Sequence, residues 1–169
     1  VYGQLLIYKK MLQNVVSNIN KNYISKPYNY EGYFKYSRQV HGQEKVKEAT
    51  VTIYDAQGYH REDVASAFKE LNYKFNQVRR NSEVTSVWDG LTYFDDILTA
   101  DIVRNTRNVL DIVNSRDYKL KSKGKLVYEG DSVQVISYQA THPSISTTGD
   151  PAVQTYSGEI YINLKDLAV

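Results

Sequence analysis

After Pro27 the side chains change rhythm. Tyr28, Tyr30, Phe34 and Tyr36 fall on one face of an extended chain, and Glu31, Lys35 and Ser37 fall on the other with Tyr33 among them. A period of two is the signature of a strand whose faces meet different surroundings, and it commits this part of the chain to β-structure. Gly32 stands where a side chain is expected, which points to a bulge or a close approach of another element. His41-Gly42 reads as a hairpin turn, and the return strand, Lys45 to Asp55, places Ala49, Val51 and Ile53 inward and Glu48, Thr50 and Thr52 outward. Two strands joined by so tight a turn pair antiparallel.

Before Pro27 the spacing is helical. Between Gln4 and Asn20, Leu5, Tyr8, Leu12, Val15, Val16 and Ile19 recur at intervals of three and four and line one face, with Lys9, Lys10, Gln13, Asn14, Ser17 and Asn18 opposite. Asn20 and Asn22 tolerate left-handed backbone and Pro27 cannot continue a helix, so this amphipathic helix is expected to stop near Lys21.

Further along, Arg61 to Leu71 combines good helix formers with an apolar set at Val64, Ala67, Phe68 and Leu71, which predicts a short helix, and Tyr73 to Arg80 alternates as a third strand. Asp89 is placed to cap a turn carrying Leu91, Phe94 and Ile97, and Thr99 with Asp101 to start another short helix. The last third returns to strands. Tyr118, Leu120, Leu126 and Tyr128 alternate against Lys119, Lys121, Lys123 and Lys125, and Glu129-Gly130-Asp131 makes a turn. Ser132 to Thr141 changes phase within itself, so either a bulge intervenes or both of its faces are covered. His142 to Pro151 is a loop, and Gln154 to Leu164 alternates Tyr156, Ile160 and Ile162 against Thr155, Glu159 and Tyr161.

With no βαβ alternation, this order predicts an α+β fold: a curved, mostly antiparallel sheet of about six strands packed on the N-terminal helix, with short helices inserted mid-chain. A chain of 169 residues suffices for a core without staples, and its lack of cysteine excludes disulfides, thiol catalysis and Cys-ligated metal. One domain, 1–169, is expected. It opens at Val1 with no basic, apolar leader, as a trimmed piece of a longer exported protein would. The balance of 21 Lys+Arg against 19 Asp+Glu lacks the footprint of a phosphate-neutralising protein, so nucleic acid is not an expected partner, and no apolar run is long enough for a transmembrane helix.

Four stretches carry a resemblance: Tyr28 to Phe34 (YNYEGYF), Glu48 to Tyr54 (EATVTIY), Asp101 to Asn105 (DIVRN) and Tyr156 to Ile162 (YSGEIYI). They resemble a family of Gram-negative envelope proteins that carry an N-terminal carboxypeptidase-regulatory-like domain. The resemblance implies export to the periplasm or outer membrane, a position following a small β-sandwich, and a curved sheet over a helix similar to the half-barrel of periplasmic lipoprotein carriers and sensors. It brings no catalytic residues with it. The chain departs from the family pattern at Arg61 to Leu71, which reads as an insertion.

The residues that carry chemistry are sparse. His41, His60 and His142 never share metal-ligand spacing and read as solvated loop histidines. Asp95 and Asp96 are adjacent, so on a helix they diverge by about 100° and serve as surface acids. Calcium-loop, phosphate-loop, dinucleotide and nucleophile-elbow motifs are missing, so neither an enzyme nor a cofactor is expected. The lysines at 119, 121, 123 and 125 form a stripe that is either a solvated or edge-protecting strand face or a contact for anionic headgroups, lipopolysaccharide or an acidic partner. Sixteen tyrosines among 21 aromatic residues suit half-wet strand faces, and equally sugar stacking or protein interfaces. Trp88 reads as a packing anchor. The expected function is a non-enzymatic envelope module that binds a partner segment or an apolar (lipid) or glycan ligand on a Tyr-rich concave sheet, between sheet and helix. Its candidate surface is Tyr28, Tyr30, Tyr33, Tyr36, Trp88, Lys119, Lys121, Lys123 and Lys125. A spacer domain at the outer membrane is the alternative from another class, and a hydrolase with a dispersed site is a third.

Overall fold

The computed structural model describes residues 2–61, 71–81, 101–111, 115–143 and 153–169. Its elements run α1 (Tyr2–Asn22), β1 (Tyr28–Val40), β2 (Gln43–Asp55), β3 (Leu71–Arg80), β4 (Tyr118–Tyr128), β5 (Asp131–Ala140) and β6 (Ser157–Asn163), with a one-turn 3-10 segment at Ser115–Asp117 leading into β4. Among the described residues the fold is α+β with an N-terminal helix and six antiparallel strands, as expected.

The six strands do not make one sheet. They form two, in the orders β1-β2-β3 and β4-β5-β6. Alternation along a strand says which side chains share a face, but not which strand lies alongside, because pairing is settled by contacts distant in sequence.

Helix α1 buries Leu12, Val15 and Ile19, spaced by three and four as the pattern requires. Leu12 and Val15 pack into one core with Tyr118, Ile136, Ala140, Ile160 and Ile162 from the second sheet and Val109 and Leu110 from the segment before it. Fully burying one such aliphatic side chain is worth about 1.5–3 kcal/mol, so this helix-on-sheet layer holds most of the apolar stabilisation seen among the described residues. The first sheet carries a smaller cluster, Phe34, Val51 and Ile53, flanked by Tyr36, Tyr73 and Phe75.

In the first sheet, β1 and β2 pair without a break from Tyr28↔Asp55 to Val40↔Gln43. The turn between them has His41 at φ 49° and Gly42 at φ 78°, the twist-matched two-residue geometry that suits a hairpin. Gly32 is neither a bulge nor a close approach: its register to Val51 is continuous, and an added Cβ would sit 3.6 Å from Val51 Cγ1, an ordinary contact. The irregularity lies between β2 and β3 instead, where the register shifts between Glu48 and Thr50 opposite Gln77 at φ 50°.

The expected helix over Arg61 to Leu71 falls mostly outside the described residues, and β3 already begins at Leu71. The Asp89 turn, Trp88, Asp95 and Asp96 also lie outside them, as does most of the His142 to Pro151 loop. At Asp101 the expected helix is a correction. Asp101 Oδ1 accepts from the N–H of Val103 and Arg104 at 2.9 and 3.1 Å, Asn105 Oδ1 from Arg107, and Asn108 Oδ1 from Leu110. Three short polar side chains answer the backbone locally, and the chain winds through successive turns rather than a helix.

The phase change in Ser132 to Thr141 has both of its possible causes. Val133, Gln134, Val135 and Ile136 are all buried, so both faces of this central strand are covered. A bulge also lies opposite it in β4, between Ser122 and Gly124, where Lys123 is the extra residue.

Candidate functional site

The β4 bulge decides what the outer face of the second sheet displays. Up to Ser122, β4 pairs as Lys119↔Gln139 and Lys121↔Ser137; beyond it, as Gly124↔Val135, Lys125↔Gln134 and Leu126↔Val133. One added residue exchanges the two faces. The glycine makes this possible, for Gly124 sits at φ +103°, which a side chain resists. Gln134 pins the bulge. Its buried amide donates to Ser122 Oγ at 3.0 Å, Gly124 O at 2.8 Å and Val135 O at 3.0 Å.

The four-lysine stripe is therefore corrected. Lys119 and Lys121 share the outer face, Lys123 joins them at the bulge, and Lys125 pairs with Gln134 on the opposite face. Tyr118 and Leu120 likewise face the helix, while Leu126 and Tyr128 face outward, against the expectation that all four share a side.

On that outer face the three strands enclose an open groove of about 590 Å³. Register sets Lys119, Gln139 and Ser157 in one row and Lys121, Ser137 and Glu159 in the next. Between the rows run Leu120, Tyr138 and Gly158, with the Leu120 and Tyr138 side chains turned toward the helix core. An added Cβ on Gly158 would lie 2.8 Å from the Tyr138 hydroxyl, so the glycine leaves room for that ring. Tyr138 in turn joins Tyr118 and Tyr156 in a three-ring cluster, and burial raises the Tyr156 phenol above its ordinary range with help from its hydrogen bond to Tyr138.

The groove is cationic. Lys123 Nζ is 3.8 Å from Glu159 Oε1, with both side chains about half exposed, and Tyr161 donates to the other oxygen of Glu159 at 3.1 Å. That hydrogen bond raises the Tyr161 phenol. Lys119 and Lys121 have no carboxylate partner among the described residues. Ser137, Gln139 and Glu159 were not singled out from the sequence; for Glu159 the available signal was its shared parity with Tyr161 in the last strand.

The candidate tyrosines lie on the other sheet and do not join the lysines. Tyr28 and Tyr30 stack at 6.0 Å between ring centres, and the Tyr28 hydroxyl accepts from Arg104 at 3.2 Å. Tyr36 packs beside the Phe34 cluster. Tyr33 is exposed on the opposite face, and its hydroxyl hydrogen-bonds the Glu48 carboxylate, which raises its pKa. These side chains therefore split between packing and solvent.

A second polar constellation, not foreseen from the sequence, is a structural clasp. Arg104 Nη2 meets Asp55 Oδ2 at 2.7 Å, lies with its guanidinium carbon 4.4 Å from the Tyr59 ring centre, and also reaches Tyr28. Tyr59 donates to Asp101 and stacks on Tyr23 at 4.9 Å, while Arg61 donates to the carbonyl of Val103 at 3.0 Å. Every group has a partner and the ion pair is sealed from water, so the cluster fastens the first sheet to residues 101–105.

The histidines are dispersed. His41 occupies the exposed hairpin turn, and His60 Nδ1 lies 2.7 Å from Gly58 O. His142 Nδ1 has the Thr141 hydroxyl at 3.2 Å and the Asp117 carboxylate at 3.8 Å, on a side chain 65% exposed. Both neighbours address the same nitrogen, whereas a relay places base and acid on opposite sides of the ring. No group of three or more metal-ligating side chains occurs among the described residues, and none of their helices is long and apolar enough to cross a membrane.

No family model, curated protein or solved structure matches the chain.

Proposed function

We propose that the chain is a non-catalytic module of the cell envelope that binds a polyanionic ligand on the outer face of its second sheet. The assignment to the periplasm or outer membrane rests on the resemblance of four stretches of its sequence to envelope proteins. The binding reading rests on one observation: Lys119, Lys121 and Lys123 converge on a single groove, with Glu159 the one acid to oppose them among the described residues. Among the described lining residues, three positive charges stand against one negative.

Magnitudes narrow the ligand. An exposed ion pair is worth about 0.2–1 kcal/mol, so three give at most about 3 kcal/mol, short of the roughly 4 kcal/mol of millimolar binding. A single small anion would not be retained. The ligand must present several charges or add apolar contact, and its binding must weaken as salt rises.

The expected ligand position shifts accordingly. Between helix and sheet the space is filled by Leu12, Val15, Ile136, Ile160 and Ile162, so the outer face is the one that receives a partner. That filled interior is also what favours the second reading, a spacer domain that binds nothing. Salt-dependent retention of the chain on heparin separates the two. The parent should be retained, and Lys119→Gln/Lys121→Gln should elute at distinctly lower salt; equal elution of parent and variant would exclude the groove.

A further inference from the structure

The same outer face changes character beyond the bulge. Leu126 and Tyr128 share it with Val133, Val135 and Tyr161, and the β4–β5 hairpin ends in a tight turn with Glu129 at φ 50° and Gly130 at φ 88°. At that end Val127 is 75% exposed, Tyr128 64% and Leu126 38%. Lys121 precedes Leu126 by five residues, about 16 Å of strand. Leu126 and Tyr128 lie on the lysines' face and Val127, paired with Ser132, on the opposite one, so the hairpin beyond the groove ends in apolar side chains on both of its faces.

We infer that the polyanion is an anionic lipid surface, with the groove lysines on the headgroups and the Val127-Tyr128 tip entering the interface. This rests on the polyanion-binding reading and names its partner. Three features favour lipid over a folded protein partner. Side chains held this far out in water gain from any apolar surroundings, and a bilayer requires no matching shape. Tyr128 and Tyr161 pair an apolar ring with a wet hydroxyl, the combination that suits a membrane interface. Lysines can lay their stems along an apolar surface while their ammonium groups reach phosphates. Two acids flank the tip: Glu129, exposed in the turn itself, and Asp131, which is held by Asn163 at 3.0 Å and faces Lys165 at 4.0 Å, so that the repulsion of an anionic surface by Asp131 is tempered.

Flotation with vesicles tests this, using phosphatidylglycerol mixed with phosphatidylcholine against phosphatidylcholine alone, with heparin retention run in parallel. The parent should float with the anionic vesicles only. Each lysine neutralised at 119, 121 or 123 should weaken partitioning about fivefold. Val127→Ser/Tyr128→Ser should weaken it at least about tenfold while leaving heparin retention as in the parent. Both side chains are exposed, so the fold should survive, which circular dichroism checks. Heparin retention without flotation would overturn the lipid assignment and leave the groove standing. Undiminished flotation of Val127→Ser/Tyr128→Ser would overturn the inserted tip, and failure with both probes would overturn the binding reading itself.

Discussion

Asp55 and Arg104 stand 49 residues apart in sequence and meet at 2.7 Å with their side chains 0% and 5% exposed. The carboxylate is used twice over: Oδ2 takes the guanidinium, and Oδ1 takes the N–H groups of Gln57 and Gly58 at 3.1 and 3.0 Å. Asp55→Asn keeps the second role and cancels the charge in the first, leaving a buried arginine unopposed. Urea denaturation should show a loss of about 3–5 kcal/mol. The joint replacement Asp55→Asn/Arg104→Met should lose less than the sum of the single changes, because no lone charge remains.

Gly58 is fixed by space as well as by φ. It sits at +84°, and an added Cβ would lie 2.5 Å from the Ser25 carbonyl carbon and 2.7 Å from Lys26 N, both backbone atoms that have nowhere to retreat. Tyr59 N donates to Ile24 O across the same contact at 2.6 Å. Gly58→Ala should therefore cost more than the roughly 1 kcal/mol of an unfavourable φ alone, seen as a lowered thermal midpoint. Gly42→Ala, which meets nothing within 4 Å, is the control and should cost less.

Gln134 ties the bulge to the groove. Gln134→Leu removes the amide N–H groups shared among Ser122 Oγ, Gly124 O and Val135 O, and leaves Gly124 O without that donor while Ser122 Oγ keeps the N–H of Gly124. A stability loss of about 1–3 kcal/mol is expected. Weaker heparin retention should accompany it, since Lys123 shares the groove only through the bulge. Unchanged retention would mean that Lys123 takes no part in binding.

At alkaline pH the buried phenols set the limit. Burial, followed by the nearby Asp101 carboxylate, raises Tyr59 above the ordinary 10.0, and burial raises Tyr156. Below pH 10 each is protonated in folded and unfolded chains alike, so neither contributes a pH dependence. Above it the unfolded chain releases protons first, the native state holds more of them, and stability falls by up to about 1.4 kcal/mol per pH unit for each tyrosine. Denaturation midpoints should hold level up to about pH 10 and then drop, with a shallower drop in Tyr59→Phe.

How much of this was legible depends on the range of each interaction. The amphipathic opening helix, the His41-Gly42 hairpin and the inward set Ala49, Val51 and Ile53 follow from neighbours within a few residues, and the structure has all three. The split into two sheets does not, since nothing local to Leu71–Arg80 or Tyr118–Tyr128 forbids their pairing. The lysine stripe shows the intermediate case. Parity alone put Lys125 beside Lys119; Gly124 within a strand and Gln134 at an apolar position were the two hints that parity breaks. The Asp55–Arg104 clasp left no local trace, because neither residue sits in a pattern that announces its partner.

The clasp also governs how the molecule comes apart. Among the described residues no strand of one sheet pairs with a strand of the other, and the polar cluster reaches the main core through Val109 and Leu110, which follow Arg104 into it, and through Tyr23, directly after α1, which stacks on Tyr59. Cooperativity between the layers then passes through a guanidinium and its ring of acceptors. Loosen that joint and the first sheet, with its small cluster of Phe34, Val51 and Ile53, melts ahead of the second, turning one unfolding transition into two.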